Sequence, residues 1–478
     1  MTTKFTIPRG TSDILPEDSY KWEYVEAVFR KIAKSYGYKE IITPIFEHTE
    51  VFERSAGDTT DIVQKEMYRF QDKKGRSFAL RPEGTAPVIR SYIENNLGSD
   101  GQITKLFYVG AMFRYDRPQA GRSRQFSQFG CECIGSNHPY YDAENIAVFW
   151  TFLTNLGLKN FEVEINSVGC PECSEIYNNA LREYFQNHTA NLCPDCLNRL
   201  DKNPKRLLDC KVPKCKEIAV DAPTICSPHE LASGGQQNSP PHEAYGVGGG
   251  GGGIIPNSEL RTPNSNLCTN CHTHFTDVQY YLKILNIPFI VNPRIVRGLD
   301  YYTQTAFEFI NKNLGSQNAL GGGGRYNGLI QQMGGKDTPA VGFAGGFSRL
   351  LISLEQENLY IGENPRPKYY IIQIANHLSL AHGEKSQIQT PNSELRTPNS
   401  ELHYPLSIIS YLRSKGIYAE SEIEKTSMKT QMKSADRLKA DFVIIIGEDE
   451  IAKNVFTLKD MKTGEQKQIP YEQITNLK

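Results

Sequence analysis

The run KLFYVGAMFRYDRPQAGRSRQFSQFGCECIG (Lys105–Gly135) brings four arginines together at one turn: Arg114, Arg117, Arg122 and Arg124. Its two extended segments, Lys105–Arg114 and Arg124–Gly135, flank the polar loop Asp116–Arg122. That pattern predicts an antiparallel pair with a long tip. Four guanidiniums on one hairpin repel each other unless anions visit. Along the second strand, a period of two puts Arg124, Phe126, Gln128, Gly130 and Glu132 on one face. An arginine, an amide and a carboxylate on one face suit a pocket for a polar, partly cationic ligand. An ordinary exposed strand would carry similar charges. The apolar stretch Leu106–Phe113 instead predicts a central, buried hairpin.

Three further stretches carry candidate chemistry. In RIVRGLDYYTQTAFEFI (Arg294–Ile310), strand alternation would send Tyr301, Thr303, Thr305 and Phe307 one way. Tyr302, Gln304, Ala306 and Glu308 would go the other way, so the two tyrosines are expected on opposite faces. A tyrosine pair in a strand also serves as plain core. Gly321–Gly324, and Gly342, Gly345 and Gly346, let the backbone approach a flat ligand closely if they form turns. Arg349 follows on a predicted helix. In LRPEGTAPVIRSYI (Leu80–Ile93), Glu83 precedes a predicted helix. Its carboxylate suits a ligand ammonium, or simply the positive end of the helix dipole.

The cysteines form a separate constellation. Three C-x-x-C pairs occur: Cys170/Cys173, Cys193/Cys196 and Cys268/Cys271. Cys210, Cys215, Cys226, His272 and His274 lie between or beside them. Two such pairs would close a tetrahedral zinc site, and a small segment with little core would gain from one. Buried free thiols are the other reading. The spacing does not tell which pairs join.

The elements that must position these residues fit a chain of 478 residues, enough for about three domains. Lys plus Arg is 53 and Asp plus Glu 54, giving a net charge of −1. That balance excludes a polybasic binder; any nucleic-acid contact must rest on a local patch. Hydrophobic residues at 39% exclude a disordered chain. With no apolar leader in MTTKFTIPRGTSDILPED and no membrane-length apolar run, a cytoplasmic protein with no membrane partner and reduced thiols is expected. An amphipathic helix is predicted over Ser19–Tyr36 from Trp22, Val25, Val28, Phe29 and Ile32. Predicted domains are a split core (1–167 and 285–356), a cysteine-rich insertion (168–284), a linker (357–366) and an α/β domain (367–478). The last reads strand Tyr369–Ile374, helix Leu406–Lys415, strand Ile417–Glu420, helix Ser427–Ala440 and strand Phe442–Ile446, then a hairpin at Lys462–Gly464. Lys425, Lys429, Lys433 and Arg437 recur every four residues, a stripe fit for a phosphate backbone or for water. Two segments, 246–266 and 387–405, share the decapeptide PNSELRTPNS and read as flexible low-complexity inserts. The glycine run Gly248–Gly253 lacks the Lys-Ser/Thr of a phosphate loop.

Taken together, these stretches resemble the histidyl-tRNA synthetase family, within the class II aminoacyl-tRNA synthetases. Phe113-Arg114 through Gly130-Cys131-Glu132 resembles motif 2, and Gly342 through Arg349 resembles motif 3. Arg297-Gly298-Leu299-Asp300-Tyr301-Tyr302 resembles the histidine-specific signature. Motif 1 is looser, in Pro8–Asp13 and the strand-like ITPIFEHTEVF around Pro44. The resemblance implies an α+β fold: a six- or seven-stranded antiparallel catalytic sheet, an inserted domain and a C-terminal α/β anticodon-binding domain. It implies a homodimer, and attachment of L-histidine to tRNA(His) through a histidyl-adenylate made from ATP with Mg2+. Under it, Arg114 and Arg297 are the catalytic residues at the α-phosphate. Arg122 and Arg349 bind ATP. Glu83, Gly84, Thr85, Gln128, Glu132, Tyr301 and Tyr302 bind histidine: Glu83, Thr85 and Gln128 at its ammonium, Glu132 and Tyr302 at its imidazole. Arg117 and Gln119 contact the tRNA acceptor end. Zinc is not part of what the resemblance implies. The rival is a non-catalytic paralogue that senses histidine for histidine biosynthesis. It would need neither the phosphate-gripping arginines nor an anticodon-binding block, and both are present.

Overall fold

The computed structural model describes residues 5–57, 60–119, 121–225, 267–374, 403–422, 424 and 427–477. The insert 246–266, most of 387–405, Cys226 and Lys425 lie outside them. Two compact units are present, Met1–Gly362 and Glu363–Lys478.

The first unit is built on an eight-stranded sheet in the order Lys39–Glu40, Thr104–Phe113, Gln125–Ile134, Ala340–Gly346, Ala319–Arg325, Thr303–Ile310, Glu162–Ser167, Ile290–Val291. The six central strands are antiparallel. Only the two-residue edge strands pair in parallel, so the sheet exceeds the expected six or seven strands by these short edges. The hairpin sits inside the sheet, as its apolar first strand requires. Alternation sends Phe129, Cys131 and Cys133 to the core face. There they meet the helices Pro16–Ser35, Tyr140–Asn155 and Phe347–Gln356 through Phe29, Phe149, Phe152 and Phe347. The first helix starts at Pro16, with Glu17 and Asp18 favouring its N-terminal dipole and Lys34 its last turn. Val25, Phe29 and Ile32 form its buried stripe.

Three expectations need correction. The glycine-rich stretches are not turns but the central strands Ala319–Arg325 and Ala340–Gly346, where Gly322 faces Ala344 and Gly324 faces Gly342. Only part of ITPIFEHTEVF is a strand, Phe46–His48; a helix begins at Thr49. The helix Thr269–Ile284 starts in the cysteine-rich segment, yet buries Phe275, Val278 and Leu282 in the core of the eight-stranded sheet.

The second unit has a five-stranded sheet, Ala419–Glu420, Tyr369–Gln373, Phe442–Ile446, Val455–Asp460, Gln466–Pro470. Its first three strands are parallel and the last two form the antiparallel hairpin. The helix expected from Leu406 already starts at His403. Helix Met428–Arg437 buries Gln431, Ser434 and Ala435 and exposes Lys429, Lys433 and Arg437; Arg437 pairs with Glu422 at 3.1 Å. Among the described residues no helix is long and apolar enough to cross a membrane.

Candidate active site

On the face of the sheet opposite Phe129, Cys131 and Cys133 lies a cavity of about 520 Å³. Arg114, Arg122, Arg297 and Arg349 all line it, with Glu83, Thr85, Gln128, Tyr301 and Tyr302. They arrive from separate elements: a strand end, a hairpin tip, the loop before Thr303–Ile310, and the helix Phe347–Gln356. Glycine clears the floor. Across the ladders Gln128 faces Gly110 and Gly346, Glu132 faces Gly342, and Glu308 faces Gly322. A Cβ on Gly342 would collide with the Glu132 carboxylate, and one on Gly322 would lie 2.6 Å from Arg297 Nη1. These glycines make room for neighbouring side chains.

The arginines are held individually. Arg114 Nε donates to the Pro82 carbonyl at 2.8 Å, and its guanidinium lies 5.4 Å from the Phe126 ring centre. Arg297 Nη1 pairs with Glu308 at 2.5 Å, beside the Tyr302 ring at 5.5 Å, and its buried Nε has no hydrogen-bond partner among the described residues. Burial works against the charge of Arg297, and Tyr302 and Glu308 more than restore it. Arg349 donates to the carbonyls of Gly121 and Ala319, at 3.3 and 2.9 Å. Arg122 pairs with Asp116 and lies 3.7 Å from Glu66, but burial and then the neighbouring guanidiniums still push the Arg349 pKa down. Arg117 and Gln119 sit at the exposed tip, outside the cavity.

The polar groups form one network. Glu83 accepts the backbone N–H groups of Thr85 and Ala86, at 2.6 and 2.8 Å, so it caps the helix Thr85–Glu94 while also lining the cavity. Gln128 Oε1 accepts from Gly84 N–H at 3.1 Å and from the Tyr108 hydroxyl at 3.3 Å. Gln128 also lines the cavity, and its NH2 is a hydrogen-bond donor. Gly84 itself is fixed by Tyr108, whose ring leaves no room for a Cβ. Glu132, fully buried, accepts from Thr85 Oγ1 at 2.7 Å and from the Tyr326 hydroxyl at 2.6 Å. Burial pushes its pKa up to about 8.

The tyrosine pair departs from its expected geometry. Tyr301 and Tyr302 both line the cavity, with ring centres 4.7 Å apart. The strand begins only at Thr303, and Gln304 has a φ of 50°, so alternation does not reach them. Tyr326, which donates to Glu132, is a neighbour of the site that sequence reasoning missed. It sits in ALGGGGRYNGLI (319–330), one residue after the strand, and the only signal was its place beside Arg325.

An antiparallel sheet with arginines from a hairpin and from the helix after the last strand defines a class II aminoacyl-tRNA synthetase catalytic domain. A family model described as "Histidyl-tRNA synthetase" matches residues 10–181 and 251–350, and one described as "Anticodon binding domain" matches 394–477. The chain is 42% identical to a histidine–tRNA ligase of Desulforamulus reducens, over 98% of this chain and 97% of that one. It is 45% identical to that of Halothermothrix orenii, over 97% and 96%. A solved apo histidyl-tRNA synthetase of S. aureus matches at 34% identity and a TM-score of 0.71, covering 99% of both chains. The chain belongs to the histidyl-tRNA synthetase family.

Proposed function

We propose that this protein is the ligase that joins L-histidine to tRNA(His), acting in the cytoplasm as a homodimer, and that the cavity described above is where histidyl-adenylate forms. The observation that supports it best is the convergence of Arg114, Arg297 and Arg349 on one cavity beside a buried acidic network. Adenylation is an in-line attack of the amino acid carboxylate on the α-phosphorus, with pyrophosphate leaving. It needs positioning and charge stabilisation, not a protein nucleophile. Arg114 and Arg297 meet the α-phosphate with paired N–H donors. Arg122 and Arg349 hold the rest of ATP. Glu164 and Asp209, which also line the cavity, offer hard oxygen donors to the Mg2+ that ATP carries, and that ion offsets phosphate charge. Glu83 and Thr85 take the histidine ammonium, the Gln128 amide its carboxylate, and Glu132 and Tyr302 its imidazole, with Gly84 and Tyr301 shaping the wall. Arg117 and Gln119 reach the tRNA acceptor end from the exposed tip, and Lys429 and Lys433 track its backbone elsewhere. The homodimer reading draws support from exposed Ile42, Ile45, Phe46 and Phe70 around motif 1. Zinc would be held at the cysteine clusters, as a structural ion.

Histidine-dependent exchange of pyrophosphate into ATP, then charging of mixed tRNA, tests this reading. Exchange with histidine alone and charging of tRNA(His) alone are expected. Histidine binding with no exchange would replace the ligase by the regulatory paralogue.

The Glu132 network predicts a pH profile for histidine binding. With a pKa near 8, free Glu132 is protonated at neutral pH, while free imidazole is neutral above about 6.5. The bound pair holds one proton, whichever partner carries it. Affinity is therefore flat between about pH 6.5 and 8. It weakens below that window, where free histidine must release a proton, and above it, where Glu132 must regain one. Glu132→Gln should remove the limb that sets in near pH 8 and leave only the later loss that follows deprotonation of the histidine ammonium. Calorimetry in buffers across this range checks it, and an unchanged alkaline limb in the variant contradicts it.

A further inference from the structure

The ten described cysteines are all free thiols, and eight of them gather in two quartets. Cys170, Cys173, Cys268 and Cys271 form one; Cys193, Cys196, Cys210 and Cys215 form the other. Within each quartet the sulfurs lie within 4.8 Å of one another. Tetrahedral zinc with sulfur at about 2.3 Å spaces its thiolates about 3.8 Å apart. Cys193 and Cys210 sulfurs are 3.8 Å apart, and those of Cys170 and Cys173 are 3.5 Å apart. The first and third C-x-x-C pairs thus join each other. The second pair joins two cysteines outside any such pair. His274, a sequence-level candidate, stands apart from both quartets, 3.4 Å from Asp142.

The backbone is arranged for thiolates. Cys170 N–H donates to the Cys271 sulfur at 3.2 Å, and Cys268 N–H returns the bond to the Cys173 sulfur at 3.1 Å. Cys193 N–H donates to the Cys215 sulfur at 3.2 Å. Cys170, Cys193 and Cys268 each cap a helix N-terminus, where the dipole favours negative sulfur. The surrounding core is small, built on Tyr177, Leu181, Phe185 and Leu207 together with the thiols themselves. Cross-links by metal are what such a segment lacks.

The second quartet also closes a loop. Its ligands stand at the two ends of the stretch 193–215, and the middle of that stretch reaches the catalytic cleft. Asn203 Nδ2 donates to Asp300 Oδ1 at 2.6 Å, and Arg206 Nη1 donates to the Arg297 carbonyl at 3.3 Å. Asp209 and Lys211 line the cavity. Arg199 pairs with Asp61 at 2.7 Å. Asn203 and Arg206 are therefore positioning residues for the signature Arg297–Tyr302.

We propose that the protein carries two structural zinc ions, each held by four cysteine thiolates, and that the ion at Cys193, Cys196, Cys210 and Cys215 pins Asn203–Lys211 against the signature loop, making adenylation depend on it. The coupling rests on the ligase reading of the cleft; the ion content does not.

Full-length, untagged protein prepared without chelators should contain two zinc ions per chain by elemental mass spectrometry. Cobalt substituted for zinc should show the intense visible absorption of tetrahedral cobalt thiolates. Less than one zinc per few chains overturns the sites. Cys210→Ser/Cys215→Ser should lose one ion and lower histidine-dependent exchange about tenfold or more. Cys215→His, which restores a nitrogen ligand, should recover both. Should the double variant not fold, a zinc-selective chelator titrated into intact enzyme at constant Mg2+ takes its place, and exchange should fall with zinc release and return with added zinc. Loss of zinc with exchange unchanged overturns the coupling and leaves the ligase standing. Absence of any histidine-dependent exchange in the wild type, with zinc bound, removes the ligase and the coupling but keeps the sites.

Discussion

Arg297→Ala should lower histidine-dependent pyrophosphate exchange by about 10³-fold, while histidine still binds in the absence of ATP. Negative charge builds on the α-phosphoryl oxygens as the carboxylate attacks, so a guanidinium placed there acts on the transition state more than on free histidine. Arg297 is partly buried, held by Glu308 and flanked by Tyr302, with its buried Nε unpaired among the described residues. The alanine variant removes the cation and also strands the Glu308 carboxylate beside the phosphates, adding repulsion to the lost attraction. Arg297→Lys keeps the charge but loses the second donor, and should fall between the two. Exchange kinetics with histidine binding measured by calorimetry separate these effects. Normal exchange in Arg297→Ala refutes the role.

Asp142→Ala should cost about 3–5 kcal/mol of stability, because it leaves a cation buried without its partner. Both side chains are fully buried: Arg325 Nε lies 3.2 Å from each Asp142 oxygen, and Nη2 pairs with Oδ2. Burial alone would raise the Asp142 pKa; Arg325 and then His274 hold it well below the usual carboxylate range. The stability this pair contributes is fully present above about pH 4 and is lost as acid protonates the carboxylate. The effect should reach the site, since Arg325 precedes Tyr326, which donates to Glu132. Denaturant unfolding of Asp142→Ala and of Asp142→Ala/Arg325→Leu checks it. The double variant should recover part of the loss, since both buried charges are gone. A single variant within about 1 kcal/mol of the parent contradicts it.

Much of this site was legible in the sequence because strand parity is a local rule. Period two alone put Gln128 and Glu132 on one face; in the fold Gln128 lines the cavity, while Glu132 is fully buried and bonded to the cavity-lining Thr85. The same rule failed at Tyr301 and Tyr302, where the strand starts two residues later than the tyrosine pattern suggests. The glycine stretches misled for a related reason: glycine usually marks turns, but here facing side chains such as Glu132 and Arg297 need the room. Tyr326, the approach of Glu66 to Arg122 and the partners of Gln128 were out of reach, because they depend on contacts between segments far apart in the chain. The joining of Cys170/Cys173 with Cys268/Cys271 is a long-range contact of the same kind, which spacing alone could not supply.

A structure of the protein with a non-hydrolysable analogue of histidyl-adenylate tests the convergence most directly. The acyl-phosphate mimic should lie within about 3 Å of the Arg114 and Arg297 guanidiniums, with the imidazole on Glu132 and Tyr302. An analogue seated away from these arginines, or with its imidazole turned from Glu132 toward solvent, would contradict it.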